Sequence, residues 1–147
     1  MVLKDRVKQI LSINDTPHHI AISFAFGIFM GITPLFGLHA IGTIFLAWLF
    51  RLNKLVSIAG AAILNPWTVV PIYSFSLWLG AKLMGLKHIL PDINWSNITI
   101  TSFIEKLSPL ILPLVVGTLL LGIVCSAASY FIIRNLVIRY RKSTHAA

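Results

Sequence analysis

Thr33, His39, Asn65 and Thr68 stand beside two prolines, Pro34 and Pro66, within otherwise apolar stretches, and Arg51, Asn53 and Lys54 follow the first stretch. Together they supply hydroxyls, amides, an imidazole and two cations, with no carboxylate among them. That set suits a phosphate, which needs convergent N–H and O–H donors and a cation within reach. Gly37 belongs to the same candidate site as a backbone residue, beside Pro34 and Pro66. Each side chain also has a plainer role. Asn65 and Thr68 can cap the backbone freed by Pro66, His39 can bond a carbonyl at the break, and Arg51 and Lys54 can anchor at lipid headgroups.

Catalysis finds little support in the same residues. The four acids, Asp5, Asp15, Asp92 and Glu105, lie in flanks and a connecting loop, so no carboxylate pair falls in an apolar stretch. His18 and His19 are adjacent and point to different faces of a helix. No set of Cys, His, Asp and Glu has metal-ligand spacing, and no nucleophile motif occurs. The expectation is a protein with no catalytic residue, no metal and no cofactor.

The elements that position these groups follow from composition. Of 147 residues 57% are hydrophobic and 11% charged, far from the roughly 25% charged residues of a soluble domain. Mean hydropathy is +0.88. The net charge of +8 sits at the ends of apolar runs, where cytoplasmic flanks meet anionic headgroups, and not on one soluble face as a nucleic-acid site needs. Cys125 lies in an apolar run as a small packing residue. The basic N-terminus leads into a run too long for a signal peptide, so it is read as retained.

An all-α integral membrane protein with a single membrane domain is expected, with two broken helical segments and one further transmembrane helix. Residues 1–16 read as an interfacial amphipathic helix, with Asp15 or Thr16 capping the next helix and Pro17 in its first turn. The run 17–50 is a first broken hairpin. A continuous helix over its uncharged part would reach ~45 Å against a hydrocarbon core of ~30 Å, and Thr33-Pro34-Leu35-Phe36-Gly37 interrupts it at its centre. Residues 55–81 repeat this organisation around Asn65-Pro66-Trp67-Thr68. Residues 82–106 read as a polar loop, with an interfacial Trp95 and a capping box at Ser102 and Glu105. A transmembrane helix over 107–133 and a basic tail over 134–147 follow. Gly27 with Gly31, and Thr118 with Gly122 and Ser126, recur every four residues as helix-packing faces.

Broken helices persist at membrane depth only where protein or a water-filled cavity covers the break, which makes the breaks the expected site. If the first run re-enters and the next two cross, nine Lys and Arg lie inside and three outside, whereas three ordinary crossings give six and six. The positive-inside tendency favours the first topology, with both termini cytoplasmic; two re-entrant hairpins with one crossing remain an alternative.

The elements Phe26-Gly27-Ile28-Phe29-Met30-Gly31, Pro34-Leu35-Phe36-Gly37-Leu38-His39, Arg51-Leu52-Asn53 and Asn65-Pro66-Trp67-Thr68, with Pro17, Pro71 and Tyr73, carry a further resemblance. At this spacing they resemble the bacterial membrane family called domain of unknown function 2062. Leu114 to Gly122 and the basic tail resemble its closing helix. The resemblance implies a multi-pass protein of the bacterial cytoplasmic membrane, and carries over no catalytic residue. The functional expectation is binding, or translocation, of an anionic lipid or phosphate-bearing solute at the paired breaks. The alternative is a non-transporting scaffold or assembly factor acting through helix packing and its basic tail. The expected partners are membrane lipids and a second copy or another membrane protein, with no nucleic acid.

Overall fold

The computed structural model describes residues 13–35, 37–87 and 99–145. The expected interfacial helix and Trp95 lie outside the described residues. Thr16 caps the first helix, its hydroxyl accepting from His19 N–H at 3.2 Å with Pro17 in the first turn, where a missing N–H costs nothing. This helix, α1 (Pro17–Ile32), stops at Thr33, which is extended ahead of Pro34. Both N–H and Oγ1 of Thr33 donate to Phe29 O, at 3.1 and 2.8 Å. A turn follows in which Leu38 N–H reaches Leu35 O at 2.9 Å, with Gly37 at φ 90°, a conformation that favours glycine. Then come α2 (His39–Leu49), α3 (Lys54–Ala61), α4 (Pro66–Leu83) and α5 (Ile100–His145). All five are α-helices, and no strand occurs among the described residues.

The chain thus leaves the helix at both proline positions. The second interruption, residues 62–65, turns α4 by 72° from α3. The two parts are unequal, eight residues against eighteen. Asn65 makes the bend by capping α4: its Oδ1 accepts from Trp67 N–H and Thr68 N–H at 3.0 and 3.1 Å, while Thr68 Oγ1 accepts from Asn65 N–H at 2.9 Å.

The closing helix is longer than the apolar run that announced it. It begins at Ile100, so Ser102 lies inside it and reaches back to Thr99, accepting from Thr99 N–H at 3.1 Å and donating to Thr99 O at 2.8 Å. This replaces the expected Ser102 cap. Pro109 and Pro113 therefore interrupt the ladder in the helix interior and not at its start. The stretch read as a basic tail is helix as far as His145, since Arg, Leu and Lys favour helix and cations suit its C-terminus. At ~1.5 Å per residue α5 is about 69 Å long.

α5 is the spine, and its two halves serve different helices. The C-terminal half lies antiparallel to α1: Ser126 Oγ donates to Ala25 O at 2.9 Å, and His18 Nδ1 pairs with Tyr130 OH at 2.8 Å. Farther along, Arg141 Nη2 donates to Ile13 O at 2.8 Å and to Asp15 O at 2.5 Å. The N-terminal half packs against α4, and α3 packs on α1. The crossings are backbone against backbone. A Cβ on Gly27 would overlap Ser57 O, one on Gly80 would overlap Pro113 O, and one on Gly117 would overlap Ser76 O. At one end Ile20, Val56 and Val137 form a buried cluster joining α1, α3 and α5.

Candidate functional site

The candidate residues divide between two ends of α2. Thr33, Pro34 and Gly37 precede its start and His39 is its first residue, whereas Arg51, Asn53 and Lys54 follow its end, about 16 Å away along eleven helical residues. They do not form one cluster. At the break around Pro66 the polar atoms are committed to structure: besides closing the cap, Thr68 Oγ1 donates to Ile63 O at 2.6 Å. Thr33 is spent on Phe29 O in the same way. The His39 ring makes no hydrogen bond among the described residues; its backbone carbonyl accepts from Thr43 Oγ1 at 2.5 Å. The breaks are thus largely self-satisfied, which is what apolar surroundings demand of freed backbone.

The other end of α2 is organised differently. Phe50, Arg51 and Leu52 close the helix with a paired hydrogen-bond motif, Leu52 N–H to Ala47 O at 2.8 Å and Arg51 N–H to Trp48 O at 3.2 Å. The motif needs a left-handed residue, and Arg51 supplies it at φ 56°. α4 ends in the same motif, Leu86 N–H to Ala81 O at 2.9 Å, with Gly85 at φ 70° in the equivalent position. A non-glycine residue there costs roughly 1–2 kcal/mol. The exposed side chains of Arg51 and Lys54 line an open groove of about 470 Å³ with Trp48, Leu49 and Leu52. Two cations beside an indole and two leucines form a surface for a group that is anionic at one end and apolar at the other.

Behind this turn lies a polar junction that ties α1, α2, α3 and α5 together. Asn53 caps α3, its Oδ1 accepting from Val56 N–H at 3.3 Å, while its own N–H donates to the buried Ser23 Oγ at 2.9 Å. The Asn53 side chain also helps to lower the Asp15 carboxyl. His19 bridges the junction, Nδ1 lying 2.5 Å from Asp15 Oδ2 and Nε2 3.0 Å from Arg51 O. The hydrogen bond to Asp15 raises the His19 pKa, desolvation opposes it, and the Arg51 carbonyl adds to the rise. Burial alone would raise the Asp15 carboxyl, but hydrogen bonds from His19 and Thr16 N–H together hold it below its ordinary value. Both shifts favour the paired form, carboxylate against imidazolium.

Asp15, His19, Ser23, Tyr130 and Arg141 were not among the candidates. The i,i+4 spacing of Asp15 and His19 was a readable signal. The contact of His19 with Arg51, thirty-two residues away, has no local signature.

Of the packing faces, Gly27 and Gly31 lie on α3, where a Cβ at Gly31 would stand 2.9 Å from Ala61 O. Gly122 meets the Phe29 ring and Ser126 bonds α1; Thr118 is buried and donates within its own helix to Leu114 O at 2.8 Å. Gly60, Gly80 and Gly117 make equally close crossings that the four-residue pattern did not select.

These features define an all-helical protein of glycine-mediated crossings with a cationic turn braced by an Asp–His pair. Residues 1–146 match the family model described as an uncharacterised protein conserved in bacteria, domain of unknown function 2062, and the chain belongs to that family. No curated protein and no solved structure matches it.

Proposed function

We propose that this chain is a multi-pass protein of the bacterial cytoplasmic membrane that binds an anionic, phosphate-bearing molecule at the turn between α2 and α3. Membrane residence is supported by where the apolar residues face. The apolar window of α5 has mean hydropathy 2.5 yet only 22% of it is buried, whereas the core helix of a soluble protein would be mostly covered. Ile41, Phe45 and Trp48 of α2 and Val70 of α4 are likewise exposed. By length and composition one helix suffices to cross a membrane, or two if α3 and α4 act as one bent span, leaving α1 and α2 as a shorter pair fit to re-enter.

The single observation that carries the binding reading is the Arg51–Lys54 groove. The site thereby moves from the breaks, where the Thr33, Asn65 and Thr68 side chains are engaged with the backbone, to the cationic turn. Binding without catalysis is the reading: Asp15 is engaged with His19, and it needs no metal or cofactor. Translocation would require a second copy, since the described residues of one chain offer at most two candidate spans. The scaffold alternative is weakened because its proposed packing glycines, Gly27, Gly31 and Gly122, face other helices of the same chain.

The test is thermal unfolding of the full chain in a neutral detergent. Added phosphatidylglycerol should raise the midpoint more than phosphatidylcholine does. Arg51→Ala with Lys54→Ala should remove that difference, and Asn65→Ala should lower the baseline without removing it. Inorganic phosphate in place of lipid separates a free anion from a headgroup. An unchanged preference for phosphatidylglycerol in the double variant would reject the site.

A further inference from the structure

Both ring nitrogens of His19 face hydrogen-bond acceptors. Asp15 Oδ2 lies at Nδ1 and Arg51 O at Nε2, at 2.5 and 3.0 Å. A neutral imidazole carries one N–H and can satisfy one of them; the imidazolium carries two and satisfies both. The carboxylate is the stronger acceptor, so a ring that loses a proton keeps its bond to Asp15. It then turns a lone pair toward the Arg51 carbonyl. That carbonyl belongs to the residue held at φ 56°, a conformation the turn must enforce on a side chain that disfavours it.

We propose that His19 is the positioning residue of the anion-binding turn, its imidazolium clamping Arg51 in the left-handed conformation so that Arg51 and Lys54 face the groove together, and that loss of this proton releases the turn and weakens anion binding. This rests on the reading of the groove as an anion site. The groups around His19 are consistent with a single titrating element. Asp15 is its carboxylate partner, and Arg141 from α5 is bonded to the Asp15 and Ile13 carbonyls. His18 faces away to Tyr130 of α5. The switch acts through the backbone geometry of the turn that carries Arg51.

Phosphatidylglycerol is a suitable probe because its phosphate stays anionic through neutral and mildly alkaline pH. With the full chain in detergent, its affinity should fall roughly tenfold between about pH 6 and pH 9, the worth of one hydrogen bond to a charged group. His19→Gln should bind weakly at both values and show no such fall, whereas Asp15→Asn should move the midpoint to lower pH. A wild-type affinity independent of pH, or a full pH response retained in His19→Gln, would overturn the clamp while leaving the groove intact. Ring ¹⁵N and Arg51 carbonyl ¹³C resonances read the clamp without lipid: both should titrate together. Independent titration would overturn it even if binding is confirmed, and absence of any phosphatidylglycerol response would reject the groove instead.

Discussion

Arg51 occupies a position where the backbone favours glycine, as the equivalent turn at Gly85 shows. Exchanging it for glycine should relieve the left-handed conformation. Arg51→Gly is therefore expected to stabilise the lipid-free protein by about 1 kcal/mol and to abolish its preference for anionic lipid, which thermal unfolding with and without phosphatidylglycerol would measure. A destabilised Arg51→Gly would mean the side chain holds the fold and not a ligand. The Asp15–His19 pair adds a pH dependence with a fixed sign. The raised His19 value contributes stability that is complete below the ordinary histidine value of 6.5 and is lost as pH rises through the raised one. The lowered Asp15 value contributes stability complete above 3.8 and lost as pH falls through the lowered one. Unfolding midpoints should thus peak between those two ordinary values and decline on both sides, and Asp15→Asn should flatten the profile. At this scale the sequence displayed the cap of Thr16 and Pro17 and the plainer role of Asn65 and Thr68, because those depend on neighbours in the chain. It displayed Arg51 and Lys54 as cations but not the junction behind them, because His19 meets Arg51 only after α1 and α3 have packed.

Helix crossings set the next scale, and there the carbonyl contacts discriminate between glycines that look alike in sequence. A side chain on Gly117 would collide with the backbone of α4 at Ser76, which cannot move without displacing the helix. On Gly122 a Cβ would stand 3.2 Å from the Phe29 ring, a side chain that can give. Gly117→Leu is expected to cost on the order of 3 kcal/mol or more and Gly122→Ala about 1. The first should also abolish cysteine cross-linking between α4 and α5, while the second leaves it intact. Equal losses would show that α4 and α5 do not depend on this crossing. The four-residue spacing revealed Gly27 with Gly31 because both face one helix. Gly80 follows Ser76 at the same spacing and Gly117 follows Pro113, but that Gly80 meets Pro113 O and Gly117 meets Ser76 O becomes visible only when the two helices pack. The length of α5 was hidden for a related reason: its apolar core is bounded by prolines and arginines that read as ends, yet neither kind of residue stops a helix whose flanks are held by α4 and by Asp15.

Across the whole molecule, charge and topology can be checked against each other. The end of the bundle holding the Asp15–His19 junction carries Arg51, Lys54, Arg139, Arg141 and Lys142, whereas Lys82 and Lys87 follow or close α4 and Lys106 lies near the start of α5. The family and the all-helical class were legible from motif and hydropathy, since both are properties of the chain. Which segments cross was not, because two apolar halves around a proline break serve equally as one bent crossing or as a re-entrant pair. The antiparallel pairing of α1 with the C-terminal half of α5 puts Lys54 and Ser143 at one end, and α4 leads away from it toward Lys87. If that end is cytoplasmic, Lys54→Cys and Ser143→Cys should resist a membrane-impermeant maleimide added outside spheroplasts, and Lys87→Cys should react. Labelling of all three from outside would contradict a cytoplasmic C-terminus. Protection of Lys87 together with Lys54 would mean that α3 and α4 return to the side they left, so that α5 alone crosses and the 72° bend belongs to a second re-entrant pair. The cationic turn would remain cytoplasmic in that case, and the anionic leaflet it faces would be unchanged, so the labelling pattern decides between the topologies without prejudging the ligand.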